Sequence, residues 1–222
     1  MSLKGWSALV LAAGAGRRFG DHGGGGKLLA DLAGAPVIRR TVEAVLQGGF
    51  AEVLVATGAD HEAIAAALEG CDCRFVTTPD WQEGMAASLR RGLAALSPQC
   101  TGVFVFLGDM PLVPVMLCDE LARLAEQAGY AARPRVAGQP GHPAAFTRAA
   151  FPDLAQLTGD VGAAALLKHR SAGVVYLDTE ARGAVLDIDS PEDLAAAARA
   201  WAACATSATS ESAISRGDLP KP

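Results

Sequence analysis

The sequence predicts an α/β protein with one doubly wound, mostly parallel sheet and helices on both faces. Apolar runs of strand length alternate with helical patterns from Trp6 to about Gln127, and such alternation with short connections is typical of parallel sheets. Half of the 222 residues are apolar and 19% are charged, enough for one well-buried core. Neither an internal repeat nor a domain boundary interrupts residues 1–203, which we expect to form a single domain.

Four strands and four helices are predicted in the first half of the chain. The strand runs are continuously apolar, as expected when both faces of a sheet are covered. Helices are indicated by a 3.6-residue apolar period, by Pro36 at one helix start and by Gly48-Gly49 at its end. The predicted strands are 6–13, 51–57, 73–79 and 102–107, and the predicted helices are 36–47, 60–69, 84–96 and 117–127.

The second half is less regular. Residues 133–146 contain two short extended pieces around a Pro/Gly loop, which predicts a small antiparallel excursion of the sheet. Helices are expected at 148–157 and 162–169, and strands at 173–178 and 184–189. Ser190 is expected to cap a final helix, with Pro191 in its first turn and Asp193 three residues after the cap. Residues 204–222 lack periodicity, and we expect them to form a disordered tail.

Composition excludes several classes of function. The net charge is −5 with no basic tract, which argues against a nucleic-acid partner. No apolar run reaches membrane-spanning length, and the N-terminus does not resemble a signal peptide. The five cysteines are scattered and match neither a redox nor a zinc motif. We therefore expect a cytoplasmic protein with reduced thiols and no membrane partner.

The stretch LAAGAGRRFGDHGGGGKLL between the first strand and the next helix is a glycine-rich loop. Such loops usually hold phosphate groups, because small residues let backbone N–H groups approach an anion. A Walker A loop requires Gly where Asp21 stands and Ser or Thr where Leu28 stands. The dinucleotide fingerprint is broken at Phe19, and Thr57 stands where an acidic residue would hold a ribose. Neither of these two phosphate loops fits.

The pattern that remains, L-A-A-G-x-G-x-R-x-G followed by K-L-L, resembles the loop of pyrophosphorylase-type nucleotidyltransferases. The resemblance is to the molybdenum cofactor branch, which includes the cytidylyltransferases and the molybdopterin-guanine-dinucleotide enzymes. Five further segments agree in chain order, so the resemblance extends over Leu9–Leu194. They are DWQEGMAASLRRG, LGDMP, GQPGHPAAF, LTGDVGAAALL and DIDSPEDL.

The resemblance implies a Rossmann-like nucleotide-diphospho-sugar transferase fold and assigns roles to individual residues. It implies Arg18, Lys27 and Asp109 as catalytic residues. It implies one Mg²⁺ held by Asp109 and Asp189, with Asp187 as the second choice for the latter. The implied nucleotide-binding residues are Leu11, Ala12, Ala13, Gly14, Gly16, Arg17, Lys27, Thr57, Pro79, Gly84, Ser88 and Asp109. The implied substrate-binding residues are Met110, Pro111, Gly141, His142, Pro143, Gly159 and Asp160.

The implied reaction joins an NTP to the phosphate of a phosphorylated pterin, giving a dinucleotide and pyrophosphate. CTP is the preferred donor, because Ala13 stands where guanylyl members tend to have Gly. A molybdoenzyme client is a possible further partner. The alternatives are a cytidylyl- or guanylyltransferase for another phosphorylated small molecule, and a non-catalytic protein that binds and delivers the cofactor.

One departure bears on the acceptor side of the site. The family often has Arg after the GDVGA element, and Ala164 stands there. Two alternatives follow: a substrate-phosphate contact is missing, or Lys168, Arg170 or Arg135 supplies it.

Overall fold

The computed structural model describes residues 3–14, 26–160, 162–170 and 172–214. The strands are β1 Trp6–Ala12, β2 Asp31–Leu32, β3 Ala35–Pro36, β4 Glu52–Thr57, β5 Arg74–Thr77, β6 Gly102–Leu107, β7 Ala131–Val136, β8 Gln139–Pro140, β9 Ala144–Thr147 and β10 Val174–Asp178. The helices are α1 Gly26–Leu29, α2 Val37–Leu46, α3 His61–Ala67, α4 Met85–Ala94, α5 Cys118–Ala128, α6 Phe151–Leu154, α7 Ala163–His169 and α8 Pro191–Ile214.

The main sheet has the strand order β10-β7-β9-β6-β1-β4-β5, with β8 beside β7. Strand β1 is parallel to both of its neighbours, β4 and β6. Strand β9 runs antiparallel between β6 and β7, and β8 is antiparallel to β7. This confirms the predicted, mostly parallel sheet with an antiparallel excursion. Strands β2 and β3 form a separate antiparallel pair.

The central strand β1 contributes alternate side chains to two cores, because successive residues of a strand point to opposite faces. Val10 packs with apolar residues of α2, α3 and α5 on one face. Leu9 packs with apolar residues of α4, α6 and α7 on the other. Both faces of the sheet are therefore covered by helices, and the polar site has to form at the ends of the strands.

The prediction of a strand over 184–189 is wrong. The chain forms a short 3₁₀ turn at Arg182–Val185 and then an irregular segment. The Ile188 N–H donates to the Asp109 carbonyl oxygen at 3.1 Å, and the Ile188 side chain is fully buried against Leu32, Val37 and Ala197. One backbone hydrogen bond and one buried side chain anchor this segment. The apolar side chain of Ile188 is therefore buried without the segment pairing with a neighbouring strand.

The C-terminal helix is longer than predicted. Helix α8 continues past residue 203 to Ile214, whereas a disordered tail was predicted from Cys204 onward. Residues 192–214 contain neither Gly nor Pro, and the Ser and Thr residues among them lower helix propensity only modestly. Within the described ranges, none of the helices combines the length and the apolar character needed to cross a membrane.

Candidate active site

A cavity of about 830 Å³ opens at the carboxyl edge of β1 and β6, within the size range of about 300–1,000 Å³ usual for small-molecule sites. The chain leaves β1 towards β4 and β5 and later returns on the other side of β1 to form β6, so this edge is a topological switch point. Open α/β sheets bind ligands at such points. The cavity is lined by Leu11, Ala12, Ala13, Gly14, Lys27, Leu28, Trp81, Gln82, Gly84, Met85, Ser88, Leu107, Asp109, Asp160 and Asp189.

Lys27 joins two acidic residues across the cavity. Its ammonium Nζ lies 2.5 Å from Asp109 Oδ2 and 2.6 Å from Asp189 Oδ1. The Lys27 and Asp109 side chains are 17% and 16% exposed, whereas Asp189 is 52% exposed. Burial by itself would lower the pKa of the Lys27 ammonium, but the two carboxylates outweigh it and the pKa lies above its usual value. Lys27 is therefore charged at neutral pH.

Asp109 is positioned by a tightly packed turn at the end of β6. The Gly108 N–H donates to the Leu11 carbonyl oxygen at 2.9 Å, and the Gly108 carbonyl oxygen accepts from the Thr41 hydroxyl at 2.9 Å. These two hydrogen bonds fix the backbone of Gly108 and hold Asp109 beside the end of β1.

Asp189 reaches the site because the segment before α8 is held at both ends. The hydrogen bond from Ile188 to the Asp109 carbonyl oxygen anchors one end. At the other, the Ser190 N–H donates to Asp193 Oδ2 at 2.9 Å and the Asp193 N–H donates to the Ser190 hydroxyl at 3.2 Å. This reciprocal pair confirms the predicted cap of the final helix.

Asp187 lies close to the same charges without lining the cavity. Burial raises the pKa of its carboxyl group, and the neighbouring carboxylates of Asp109 and Asp189 raise it further. Three carboxylates thus share one region, and Lys27 is the only cation among the described residues of the cavity lining.

The donor set fits a divalent metal that is partly coordinated by substrate. Asp109 Oδ1 is buried and has no hydrogen-bond partner among the described residues, so one oxygen is available beside the Lys27 contact. Within the described ranges no group of three or more metal-binding side chains forms a complete protein site. Mg²⁺ is commonly held by one or two carboxylates together with substrate phosphates, and Asp109 and Asp189 supply that number.

The start of α4 forms the opposite wall of the cavity. Gly84 has φ +105°, and the Ala86 N–H donates to the Gly159 carbonyl oxygen at 3.1 Å. A Cβ on Gly84 would lie 2.5 Å from the carbonyl carbon and oxygen of Gly159. Gly84 therefore permits close contact between the first turn of α4 and the segment that carries Asp160.

Gly84→Ala is expected to lower the free energy of unfolding by about 2–4 kcal/mol, because it adds backbone strain and a steric clash. Gly129→Ala is the matched control. Gly129 also has a positive φ, of +72°, but a Cβ there meets nothing within 4 Å, so its loss is expected to be about 1 kcal/mol. Denaturant unfolding measures both variants, and equal losses would contradict the contact between Gly84 and Gly159.

The family model that matches the chain is the MobA-like NTP transferase domain, over residues 8–174. The chain belongs to this family. It is accordingly a nucleotidyltransferase.

Two relatives of this MobA-like protein match over nearly their whole length. It is 30% identical to nicotine blue oxidoreductase of Paenarthrobacter nicotinovorans over 196 residues, which are 85% of this chain and 94% of the relative. The crystal structure of Rv0371c from Mycobacterium tuberculosis H37Rv is similar with a TM-score of 0.78 and 30% identity, covering 90% of this chain and all of that one. A manganese complex of Rv0371c has a TM-score of 0.73 and 27% identity, covering 87% and 98%.

The structure of this MobA-like protein brings about half of the implied site residues together. Those that line the cavity are Leu11, Ala12, Ala13, Gly14, Lys27, Gly84, Ser88, Asp109, Asp160 and Asp189. Those that lie elsewhere are Thr57, Pro79, Met110, Pro111, Gly141, His142, Pro143 and Gly159. Gly16, Arg17 and Arg18 are outside the described residues, so their roles remain predictions.

Several of the residues away from the cavity have structural partners. The Thr57 hydroxyl is buried and hydrogen-bonded to His61 Nδ1 at 2.8 Å. Met110, Pro111, Gly141 and Pro143 are buried beneath the surface. The Gly159 carbonyl oxygen accepts a hydrogen bond from the Ala86 N–H at the start of α4. Their assignment to nucleotide or acceptor binding remains a prediction from the resemblance.

The His142 residue as a whole is partly buried. Its backbone N–H donates to the Ala184 carbonyl oxygen at 2.7 Å, and Nδ1 is buried with no partner among the described residues. Burial, together with the positive charge of Arg133, lowers the pKa of His142 to about 4. The imidazole is therefore neutral at pH 7.

Two of the cations expected to replace the family arginine at Ala164 are paired elsewhere. Arg135 forms two hydrogen bonds with Asp178, at 2.7 and 2.8 Å, and Arg170 forms an ion pair with Asp153 at 2.9 Å. Neither these two nor Lys168 lines the cavity.

Sequence reasoning missed five lining residues: Leu28, Trp81, Gln82, Met85 and Leu107. Trp81, Gln82 and Met85 could have been predicted, because they occur in the DWQEGMAASLRRG segment, which also contains the implied nucleotide-binding residues Gly84 and Ser88. Met85 is 41% exposed and lines the cavity.

Proposed function

We propose that the protein transfers the cytidylyl group of CTP to the phosphate of molybdopterin or molybdenum cofactor, forming a pterin dinucleotide and pyrophosphate. The observation that carries the proposal is the convergence of Lys27, Asp109 and Asp189 at the end of β1, where the glycine-rich loop begins. The family membership supports nucleotidyl transfer. The site supports the same reaction, because its carboxylates and its lysine can bind a metal ion and phosphate groups.

The chain's own residues bind and orient the triphosphate in this proposal. Backbone N–H groups near Ala13 and Gly14 approach the phosphates, while Lys27, with Arg17 and Arg18, neutralises the charge that develops on pyrophosphate. A divalent ion such as Mg²⁺, held by Asp109 and Asp189, would supply further neutralisation at the α-phosphate.

The reaction needs no covalent enzyme intermediate. A phosphate oxygen of the acceptor attacks the α-phosphorus in line, the bond to the β-phosphate oxygen breaks, and that oxygen keeps the electron pair as pyrophosphate leaves. The attacking oxygen is already anionic, so no general base is required. Positioning and charge neutralisation are the main contributions expected from the enzyme.

The preference for CTP rests on the start of the loop. Ala13 stands where guanylyl members of the family tend to have Gly. This resemblance to the cytidylyl branch supports CTP as the donor.

Assaying the purified protein with each of the four NTPs, Mg²⁺ and molybdopterin tests the donor. Pyrophosphate and a dinucleotide are expected to form fastest with CTP. Equal or faster reaction with GTP would contradict the base preference and leave nucleotidyl transfer intact. Failure to release pyrophosphate with any NTP would contradict the proposed reaction and favour a protein that binds and delivers the cofactor.

Cytidylyl transfer to another phosphorylated small molecule is the second candidate. It is favoured by the burial of Met110, Pro111, Gly141 and Pro143, since these are the residues on which the pterin assignment depends. Pyrophosphate released with CTP and a phosphorylated sugar alcohol, but not with molybdopterin, would support this second candidate.

A further inference from the structure

We propose that Lys27 couples metal binding to nucleotide binding. Without nucleotide, the Lys27 ammonium forms ion pairs with the two carboxylates that would bind the metal, those of Asp109 and Asp189. When a triphosphate binds, the ammonium pairs with the phosphates instead, and the carboxylates can then bind a divalent cation. The inference rests on the proposed function and adds an order of assembly: the metal is bound tightly only together with the nucleotide.

The first argument is the position of the ammonium. Lys27 Nζ lies within 2.6 Å of one oxygen from each of Asp109 and Asp189. A Mg²⁺ ion held by the same two oxygens would lie about 2.0–2.1 Å from each. Asp109 Oδ1, the other oxygen of that carboxylate, is buried. The space between the two oxygens that contact Lys27 therefore accommodates one cation at a time, and Lys27 has to move before a metal is held at that position by both carboxylates.

The second argument is the strength with which the ammonium is held. The Lys27 and Asp109 side chains are largely buried, so their ion pair is screened by solvent less than a surface pair. A metal ion that enters alone therefore competes with an ammonium group that is held between the two carboxylates.

The third argument is what a triphosphate changes. Among the described lining residues, the acidic groups are Asp109, Asp160 and Asp189, and Lys27 is the only cation. Gly14 of the glycine-rich loop lines the same cavity, so phosphates seated at the loop lie within the reach of a flexible lysine side chain. The triphosphate then replaces the carboxylates as the partner of the ammonium, and the carboxylates become available to the metal.

Coupling of this kind is reciprocal, because two ligands that favour the same arrangement raise each other's affinity by the same factor. We expect the nucleotide to tighten metal binding about 10-fold or more, within the range common for coupled sites. Removing the Lys27 charge is expected to tighten metal binding in the absence of nucleotide and to reduce the coupling.

The test is titration with Mn²⁺ alone, with the free ion followed by electron paramagnetic resonance, and then with Mn²⁺ plus a non-hydrolysable CTP analogue. Lys27→Met is expected to bind Mn²⁺ alone about 10-fold more tightly than the wild type. Lys27→Arg keeps the charge and is expected to bind weakly, as the wild type does. Lys4→Met is the matched control, because Lys4 is exposed and away from the cavity.

The outcomes separate this inference from the proposed function. If the analogue binds but Lys27→Met and the wild type have equal affinity for Mn²⁺ alone, the coupling is wrong and the proposed function stands. If the CTP analogue binds neither to the wild type nor to any variant, both the coupling through Lys27 and the proposed cytidylyl transfer are wrong. Circular dichroism on each variant checks that an altered affinity does not result from unfolding.

Discussion

Asp109→Asn is expected to abolish pyrophosphate release from CTP, with a rate loss of about 10³-fold or more. The substitution keeps the shape of the side chain and removes its negative charge. Asp109 contributes one oxygen to the Lys27 ion pair and a second, buried oxygen with no partner among the described residues. Both the metal and the position of Lys27 therefore depend on this carboxylate.

The fold is expected to survive this change. The turn around Asp109 is held by backbone hydrogen bonds of Gly108 and by the Asp109 carbonyl oxygen, and the amide variant keeps all of them. Asp72→Asn is the control, since Asp72 is exposed and remote from the cavity lining. Near wild-type pyrophosphate release from Asp109→Asn, measured beside this control, would contradict the assignment of the metal site.

Asp189→Asn is expected to reduce pyrophosphate release about 10²-fold, whereas Asp187→Asn should reduce it by less than about 10-fold. Asp189 contacts Lys27 at 2.6 Å and lines the cavity. Asp187 does not line the cavity. Burial raises the pKa of its carboxyl group, and the nearby carboxylates of Asp109 and Asp189 raise it further. The larger effect is therefore expected at the residue with direct access to the ligand.

Parallel steady-state assays of the two variants decide between the two aspartates. The Mn²⁺ affinity of each variant in the presence of the CTP analogue gives an independent comparison. A larger loss of activity and of metal affinity in Asp187→Asn would make Asp187 the second metal ligand and assign Asp189 to Lys27 alone.

Much of the fold could be predicted because it depends on local apolar patterns. The run from Trp6 predicted a strand buried on both faces, and β1 is central in the sheet with side chains in two cores. The position of Asp109 after β6 could be predicted for the same reason, since the residue after a parallel strand lies at the edge of the sheet where ligands bind.

The remaining features depend on contacts between segments that are distant in sequence. Ile188 is fixed by one hydrogen bond to Asp109 and by a small core, so residues 184–189 have the alternation of a strand without its pairing. The bridge from Lys27 to Asp109 and Asp189 also combines three separate segments. Local sequence patterns do not predict contacts between distant segments. The family resemblance predicted that these three residues belong to the site, but it did not predict that they contact one another.

The burial of the predicted acceptor residues has a similar cause. The GDMP and GHP segments contain Gly and Pro, residues that are typical of turns and give no sign of burial. The 3₁₀ turn at Arg182–Val185 covers them, since a Cβ on Gly141 would lie 2.4 Å from the Ala184 carbonyl oxygen and one on Gly183 would lie 1.8 Å from the Leu112 carbonyl oxygen. This close packing between separate segments could not be predicted from either segment alone.

The most direct test of nucleotidyl transfer uses CTP labelled at the α-phosphate in one sample and at the γ-phosphate in another, each with Mg²⁺ and molybdopterin. We predict that the α-label is recovered in a product that also contains the pterin, and that the γ-label is recovered in pyrophosphate. Recovery of the α-label as free CMP, or of both labels in unreacted CTP, would contradict the proposed transfer.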